Sequence, residues 1–139
     1  MNPREAAEAM RNGAAYLDVR SVEEFELGHP EGAFNVPWEL RGAPLPNPEF
    51  VRVVRAHFAP EARLIVGCQS GVRSRYAAAA LRDAGFDAVS EQVDGFGGRR
   101  DPFGQKLADG WERAGLPTSL RAAPGRSYRE LLEGIASGS

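Results

Sequence analysis

The sequence predicts an α/β fold with a mainly parallel central sheet. Short apolar runs alternate along the chain with segments that carry helix-start and helix-end signals. Such an alternation is typical of a parallel sheet, because parallel strands need a crossover connection, which is usually a helix. The clearest unit spans 63–85, where an apolar run leads through a short polar loop into an alanine-rich segment. A length of 139 residues suits one domain with one core.

Two capping signals predict helices near the N-terminus. Asn2 and Pro3 supply an N-cap and a proline at the first helical position, and Gly13 ends this helix. Ser21 and Glu24 have the spacing of a capping box, which opens a second, short helix.

The other elements follow from hydrophobic periodicity and from turn residues. The predicted strands are Tyr16 to Val19, Phe34 to Val36, Leu64 to Val66 and Phe86 to Gln92. Further predicted helices run over 49–57, 72–84 and around 128–135. We expect turn-rich loops over 28–33 and 41–48, a glycine-rich turn over 94–98, mixed loop and helix over 101–115, and fraying at 137–139.

The composition argues against several classes of protein. A net charge of −2 does not favour a nucleic-acid binder, and no apolar run approaches the length of a membrane span. A single cysteine cannot form an intramolecular disulfide, and the N-terminus lacks the apolar core of a signal peptide, so we expect a cytoplasmic protein. His29 and His57 show no ligand spacing with Cys68, so we expect no metal. The glycines over 95–98 do not form a dinucleotide-binding pattern, so we expect no cofactor.

Cys68 lies where the strand of the 63–85 unit turns into its helix. The backbone N–H groups and the dipole at a helix N-terminus form an anion site. These groups favour the charged form of a cysteine, so we expect Cys68 to be a thiolate nucleophile in an anion-binding cradle. The alternative is an inert, buried cysteine that packs as a small apolar residue. The polar neighbours Gln69, Ser70 and Arg73 favour the reactive thiol.

With these segments placed, the chain resembles single-domain rhodaneses, the thiosulfate sulfurtransferase family. Four motifs carry the resemblance in order between residues 16 and 117: LDVRSVEEFELGHPEGAFNVPW, LIVGCQSGVRSRYAAAALRDAGF, VDGFGG and WERAGLP. The resemblance implies a three-layer domain over 1–118, with a parallel five-stranded sheet flanked by helices. Residues 119–139 are then a C-terminal extension with a short helix. In this family a tryptophan usually follows the glycine pair closely, whereas here 99–110 intervenes before Trp111.

The resemblance also implies a reaction. A cysteine of the family takes a sulfane sulfur from a donor such as thiosulfate, holds it as a persulfide, and passes it to an acceptor such as cyanide. Cys68 is the candidate catalytic residue. The candidate residues for binding the anionic substrate are Gln69, Ser70, Gly71, Val72, Arg73 and Ser74. The expected partners are small-molecule donors and acceptors, and a sulfur-relay protein is a further candidate; the sequence does not predict an oligomeric state.

The sequence allows two interpretations for several side chains. Arg73 is the best candidate for holding a sulfonate, because its guanidinium fork suits oxyanions. Ser70 and Ser74 either donate to the substrate or cap the helix. Arg75 either adds positive charge or forms a structural ion pair. Asp18 and Arg20 match the Asp-x-Arg signature of the family as supporting residues, for which we expect Asp18 to brace the turn and Arg20 to pair with a carboxylate such as Glu31.

Two other functions remain as alternatives. Some domains of this fold are binding or regulatory modules without turnover. Dual-specificity-type phosphatases resemble it as well, but their pattern has one residue more between cysteine and arginine. Here Ser74 stands at that arginine position, and the shorter loop suits a sulfur atom better than a phosphate.

Overall fold

The computed structural model describes residues 1–40, 42–43 and 45–138. The helices are α1 (Pro3–Arg11), α2 (Val22–Glu26), α3 (Phe50–His57), α4 (Val72–Asp83) and α5 (Tyr128–Gly138). The strands are β1 (Ala15–Asp18), β2 (His29–Pro30), β3 (Phe34–Asn35), β4 (Leu64–Gly67), β5 (Val89–Glu91), β6 (Arg99–Arg100), β7 (Lys106–Ala108) and β8 (Thr118–Ser119). The predicted N-cap Asn2 and the predicted capping box of Ser21 and Glu24 are present at the starts of α1 and α2, and Asn2 forms a capping box with Glu5 as well.

The central sheet is parallel and has the strand order β3-β1-β4-β5. The α/β class is therefore confirmed, but this sheet has four strands in the described part of the chain, where five were expected. The short strand β2 does not join it, because β2 pairs antiparallel with β8. In the register of the sheet, Asp18 at the end of β1 lies beside Gly67 at the end of β4. The register therefore brings the segment after β1 next to Cys68.

Helices cover both faces of the sheet, and side chains alternate between the two apolar clusters. Leu17 and Val66 point into the cluster that holds the buried faces of α3, α4 and α5. Tyr16 and Ile65 point into the other cluster, which contains the buried alanines of α1, together with Phe25 and Trp111. Because both faces are covered, β1 and β4 are buried along most of their length, as is usual for strands of a parallel sheet.

Four local predictions need correction or restriction. Residues 101–115 contain no helix; the chain instead forms the antiparallel hairpin of β6 and β7, followed by turns. His29 is not part of a turn, because it lies in β2, is 1% exposed, and stacks on Phe25. Arg41 and Pro44 of the predicted loop and Ser139 of the predicted frayed end lie outside the described residues.

The C-terminal helix α5 packs on the domain. Tyr128 and Leu131 belong to the main core cluster, and His57 of α3 lies 2.7 Å from the backbone oxygen of Leu131 through Nε2. The extension predicted for 119–139 thus contains the expected helix, and this helix shares the core with α3. None of the helices in the described ranges is both long enough and apolar enough to cross a membrane.

Candidate active site

The Sγ atom of Cys68 faces the backbone amides of the loop that follows it. The N–H of Gly71 donates to Sγ at 3.1 Å and the N–H of Ser74 donates to it at 3.3 Å. The hydroxyl oxygen of Ser74 lies 3.5 Å from the same sulfur. Hydrogen bonds from amides favour a negative charge on the sulfur. Two amides of the loop thus face this sulfur, and the binding of an anionic substrate by the loop stays a prediction.

Cys68 is also deeply placed. It is 2% exposed, and it packs in the main apolar cluster beside the helix α4. A reagent must therefore approach Sγ along the loop. Gln69, Ser70 and Val72 form the exposed part of this loop, whereas Ser74 is fully buried.

Gly71 gives the loop its shape. Its φ is +104°, in the left-handed region that favours glycine. A Cβ atom at this position would lie 2.2 Å from the backbone oxygen of Val93. Only glycine therefore fits the turn that points the amides of residues 71 and 74 at the sulfur. Gly71 is also the N-cap of α4 and no side chain caps this helix, so the capping interpretation of Ser70 and Ser74 is wrong.

A second turn, residues 94–98, holds the loop from outside. The N–H of Phe96 donates to the carbonyl of Cys68 at 2.7 Å, and the N–H of Gly97 donates to the carbonyl of Gln69 at 3.0 Å. A Cβ atom on Gly95 would lie within 2.5 Å of both carbonyl oxygens. Because these carbonyls are satisfied on the outer side, the N–H groups of the loop are free to face Sγ. The glycines in Asp94-Gly-Phe-Gly-Gly predicted a turn at this place in the sequence, but only the fold shows that the turn contacts the loop of Cys68.

Arg20 joins the end of β1 to the loop. It donates to both carboxylate oxygens of Asp18, at 2.7 Å through NH2 and 3.0 Å through Nε. It also donates to the carbonyl of Gly28 at 2.7 Å and to the side-chain oxygen of Gln69 at 3.2 Å, and its guanidinium lies over the ring of Phe96. The expected partner, Glu31, is therefore wrong, and Asp18 takes that place. Arg20 and Asp18 are 3% and 1% exposed, so this is a buried pair in a supporting position.

We expect Arg20→Lys to reduce the free energy of unfolding by about 1–3 kcal/mol. Lysine keeps the charge that compensates the buried Asp18, but it loses the planar fork that reaches Asp18, Gly28 and Gln69 together. Urea unfolding measures the change. Arg75→Lys is the matched control, because Arg75 is exposed on α4. Equal stability of the two variants would contradict a bridging role for Arg20.

Arg73 is bound to Glu24 of α2. Its NH1 donates to Oε1 at 2.6 Å and its NH2 donates to Oε2 at 3.0 Å. The hydrogen bonds to Glu24 are the first cause that raises the pKa of the Arg73 guanidinium, and the charges of Glu24, Cys68 and Glu39 raise it further. Arg73 thus lies within electrostatic reach of Cys68, but its fork is occupied by a carboxylate. Arg75, in contrast, forms no ion pair with any residue in the described ranges, so its structural interpretation is wrong.

The Glu24–Arg73 pair predicts a loss of stability in acid. The hydrogen bonds from Arg73 lower the pKa of Glu24 from 4.5 to about 2. A carboxyl whose pKa is lowered in the folded state stabilises it above the unfolded pKa. This contribution is complete above pH 4.5 and is lost as the pH falls towards 2. We expect it to be about 1 kcal/mol, because both side chains are partly exposed.

Urea unfolding of the wild type and of Glu24→Gln, measured from about pH 7 to about pH 2.5, tests this expectation. The free energy of unfolding of the wild type should exceed that of the variant at neutral pH, and this difference should disappear as the pH falls below 4.5. Parallel curves over the whole range would contradict it.

A cleft of about 440 Å³ adjoins the Gln69 side of the loop. Leu27 and Phe96 supply apolar lining, and Glu24 and Glu112 supply two carboxylates.

The inserted hairpin of β6 and β7 begins directly after the 94–98 turn. The two ends of this hairpin lie close together, because a Cβ atom on Gly110 would lie 2.3 Å from the amide nitrogen of Gly98. In the described ranges, no three His, Cys, Asp or Glu side chains are grouped as a metal site would require.

Comparisons with known proteins agree with this arrangement. The family model described as "Rhodanese-like domain" matches residues 2–98. The chain is 44% identical over 108 residues to the chloroplastic thiosulfate sulfurtransferase 16 of Arabidopsis thaliana, covering 76% of this chain and 80% of the relative. It is 33% identical over 118 residues to the thiosulfate sulfurtransferase GlpE of Haemophilus influenzae, covering 84% and 90%. It spans about half the length of some other plant relatives that it matches, 52% in two of them.

The fold is also similar to that of solved structures. The crystal structure of Rv0390 from M. tuberculosis superposes with a TM-score of 0.74 at 28% identity, covering 87% of this chain and 96% of that chain. The family match covers the strand–loop–helix unit of Cys68 and the 94–98 turn that holds its loop. By sequence and by fold, this chain belongs to the family of rhodanese-like domains.

Proposed function

We propose that this protein is a sulfurtransferase that moves a sulfane sulfur through a persulfide on Cys68. The donor is thiosulfate or a persulfide, and the acceptor is a thiophilic molecule such as cyanide. The observation that carries the proposal is the pair of N–H donors, from Gly71 and Ser74, that face the sulfur of the only cysteine in the sequence. The named activity of similar proteins from Arabidopsis and Haemophilus supports the same reaction class.

The reaction has two balanced steps. The Cys68 thiolate attacks the terminal sulfur of thiosulfate, an S–S bond forms, and sulfite leaves with the electron pair of the broken S–S bond. The terminal sulfur of the new persulfide carries the negative charge. Cyanide then attacks that sulfur, thiocyanate leaves, and the Cys68 thiolate returns. No proton moves in either step, so the site needs no general base.

The amides that hold Sγ suit both steps. In the resting site they stabilise the negative charge on Sγ. In the persulfide this charge lies on the outer sulfur, one atom further from the protein, where the loop can still stabilise it. The buried position of Cys68 shields the persulfide from bulk water and from other thiols. Arg20 and the 94–98 turn act as positioning groups, because they contact the loop and not the sulfur.

A binding module without turnover is the alternative function. It is favoured by the 2% exposure of Cys68 and by the occupied fork of Arg73, which together restrict access to the sulfur. Turnover distinguishes the two functions. We expect the purified protein to form thiocyanate from thiosulfate and cyanide, with the parallel-line kinetics of a covalent intermediate. A rate equal to that of the reagents alone would favour the binding module.

A further inference from the structure

We propose that Glu24 sets which sulfur donors the Cys68 site accepts, favouring donors with an organic remainder and a single negative charge over the thiosulfate dianion. This inference rests on the proposed sulfurtransferase function. It makes Glu24 a specificity-determining residue, which acts through its ion pair with Arg73.

The ion pair occupies the positive group that a dianion needs. NH1 and NH2 of Arg73 each donate one N–H to the carboxylate of Glu24, so the end-on pair of N–H groups is occupied and a sulfonate has only the Nε–H side of the guanidinium. The pair as a whole is neutral. A thiosulfate ion that approaches Cys68 therefore meets a carboxylate beside the guanidinium and must compete with it.

Glu24 is held in this place by its own helix as well as by Arg73. The hydroxyl of Ser21 accepts from the N–H of Glu24, and Oε1 of Glu24 accepts from the N–H of Ser21. This capping box fixes the carboxylate at the start of α2. When a donor engages Arg73, Glu24 therefore remains close by and repels a second negative charge.

The adjoining cleft suits an organic group. Leu27 and Phe96 give it apolar lining, and Leu27 is 83% exposed. Its carboxylates are Glu24 and Glu112, while its arginine, Arg20, is already paired with Asp18. The cleft thus offers apolar contact and, in Glu112, one carboxylate that forms no ion pair among the described residues. Such a surface favours the organic part of a donor and disfavours an inorganic dianion.

Organic thiosulfonates allow a direct comparison with thiosulfate. The Cys68 thiolate attacks the terminal sulfur of benzenethiosulfonate, an S–S bond forms, and benzenesulfinate leaves with the electron pair of the broken S–S bond. The persulfide is the same as that formed from thiosulfate, and no proton or redox partner is needed. The two donors differ by one charge and by the phenyl group.

The test measures kcat/KM for thiosulfate and for benzenethiosulfonate, with cyanide as the acceptor for both. Glu24→Gln should raise the ratio of the thiosulfate value to the benzenethiosulfonate value by about five-fold. Glutamine at this position keeps the capping box, so the variant removes the charge and leaves the helix start intact. Glu23→Gln is the matched control, because Glu23 is exposed on the same helix and carries the same charge. Equal ratios in the two variants would overturn the proposal.

A variant of Arg73 tests whether Glu24 acts through its ion pair with Arg73. Arg73→Ala should lower the ratio, since it removes the guanidinium and leaves Glu24 without its ion pair. The double variant Glu24→Gln, Arg73→Ala should lack the gain of the single Glu24→Gln; a gain that persists without Arg73 would overturn the role of the ion pair. These results differ from those expected if the protein is not a sulfurtransferase. In that case, neither donor would produce thiocyanate with the wild-type protein.

Discussion

Replacing Cys68 with serine is expected to reduce thiocyanate formation by at least about 1,000-fold, to the level of the uncatalysed reaction. A serine hydroxyl is not ionised at neutral pH and forms no persulfide, so the first step cannot occur. The steady-state rate with thiosulfate and cyanide measures the effect.

Serine differs from cysteine by one atom, so the fold of Cys68→Ser should persist. Far-UV circular dichroism and urea unfolding provide the control, with a change in stability of about 1 kcal/mol. Glu23→Gln, an exposed change on α2, should keep the rate within about three-fold. Turnover by a folded Cys68→Ser protein above the uncatalysed rate would contradict the account.

The second large effect is expected for Gly71→Ala, which should lower kcat/KM by about 100-fold. An alanine here is strained at a φ of +104°, and its Cβ atom would lie 2.2 Å from the oxygen of Val93. The loop must therefore shift, and the amides of residues 71 and 74 move away from Sγ. The rates of thiocyanate formation with both donors should fall together, since the change acts on the sulfur itself.

Gly85→Ala separates this effect from simple strain. Gly85 follows the other end of α4 and has nearly the same φ, +101°, but a Cβ atom added there would meet no atom of a more distant residue within 4 Å. This variant should lose about 1–2 kcal/mol of stability and keep its rate. If Gly71→Ala were as active as Gly85→Ala, the geometry of the amide cradle would not be needed for the reaction.

Local signals in the sequence predicted the starts of α1 and α2 and the place of the cysteine correctly, whereas the helix expected within 101–115 is absent. The caps at Asn2 and Ser21 fix where α1 and α2 begin, because each involves residues only three apart. The turn from β4 into α4 was also evident, since an apolar run, a glycine and an alanine-rich segment follow one another. These features depend on nearest neighbours in the chain, and so the sequence contains them directly.

Contacts between distant segments could not be predicted in the same way. The partner of Arg20 was missed for another reason: Asp18 lies only two positions away, but the sequence does not show that the two side chains are buried together at the carboxyl edge of the sheet. Arg73 meets Glu24 across 49 positions of sequence, and nothing in either local pattern indicates the other. The 94–98 turn was expected only as a turn; its contact with the loop depends on how the sheet register brings the two segments together.

The strand count and the insertion show a further limit. The residue pattern predicted four strands, and a fifth was expected only from the family resemblance. Strand β2, which lies in the loop predicted over 28–33, contains a proline and pairs outside the main sheet. A mixture of loop and helix was predicted over 101–115, but residues 99–108 form a hairpin whose ends meet at glycines 98 and 110. In both places backbone pairing decides the structure, and the pairing of β2 with β8 is non-local.

The intact mass of the protein after treatment with thiosulfate tests the central claim most directly. The account predicts one added sulfur, about 32 Da, which cyanide removes and which Cys68→Ser does not acquire. No added mass on the wild-type protein, or the same added mass on both proteins, would contradict a persulfide held at Cys68.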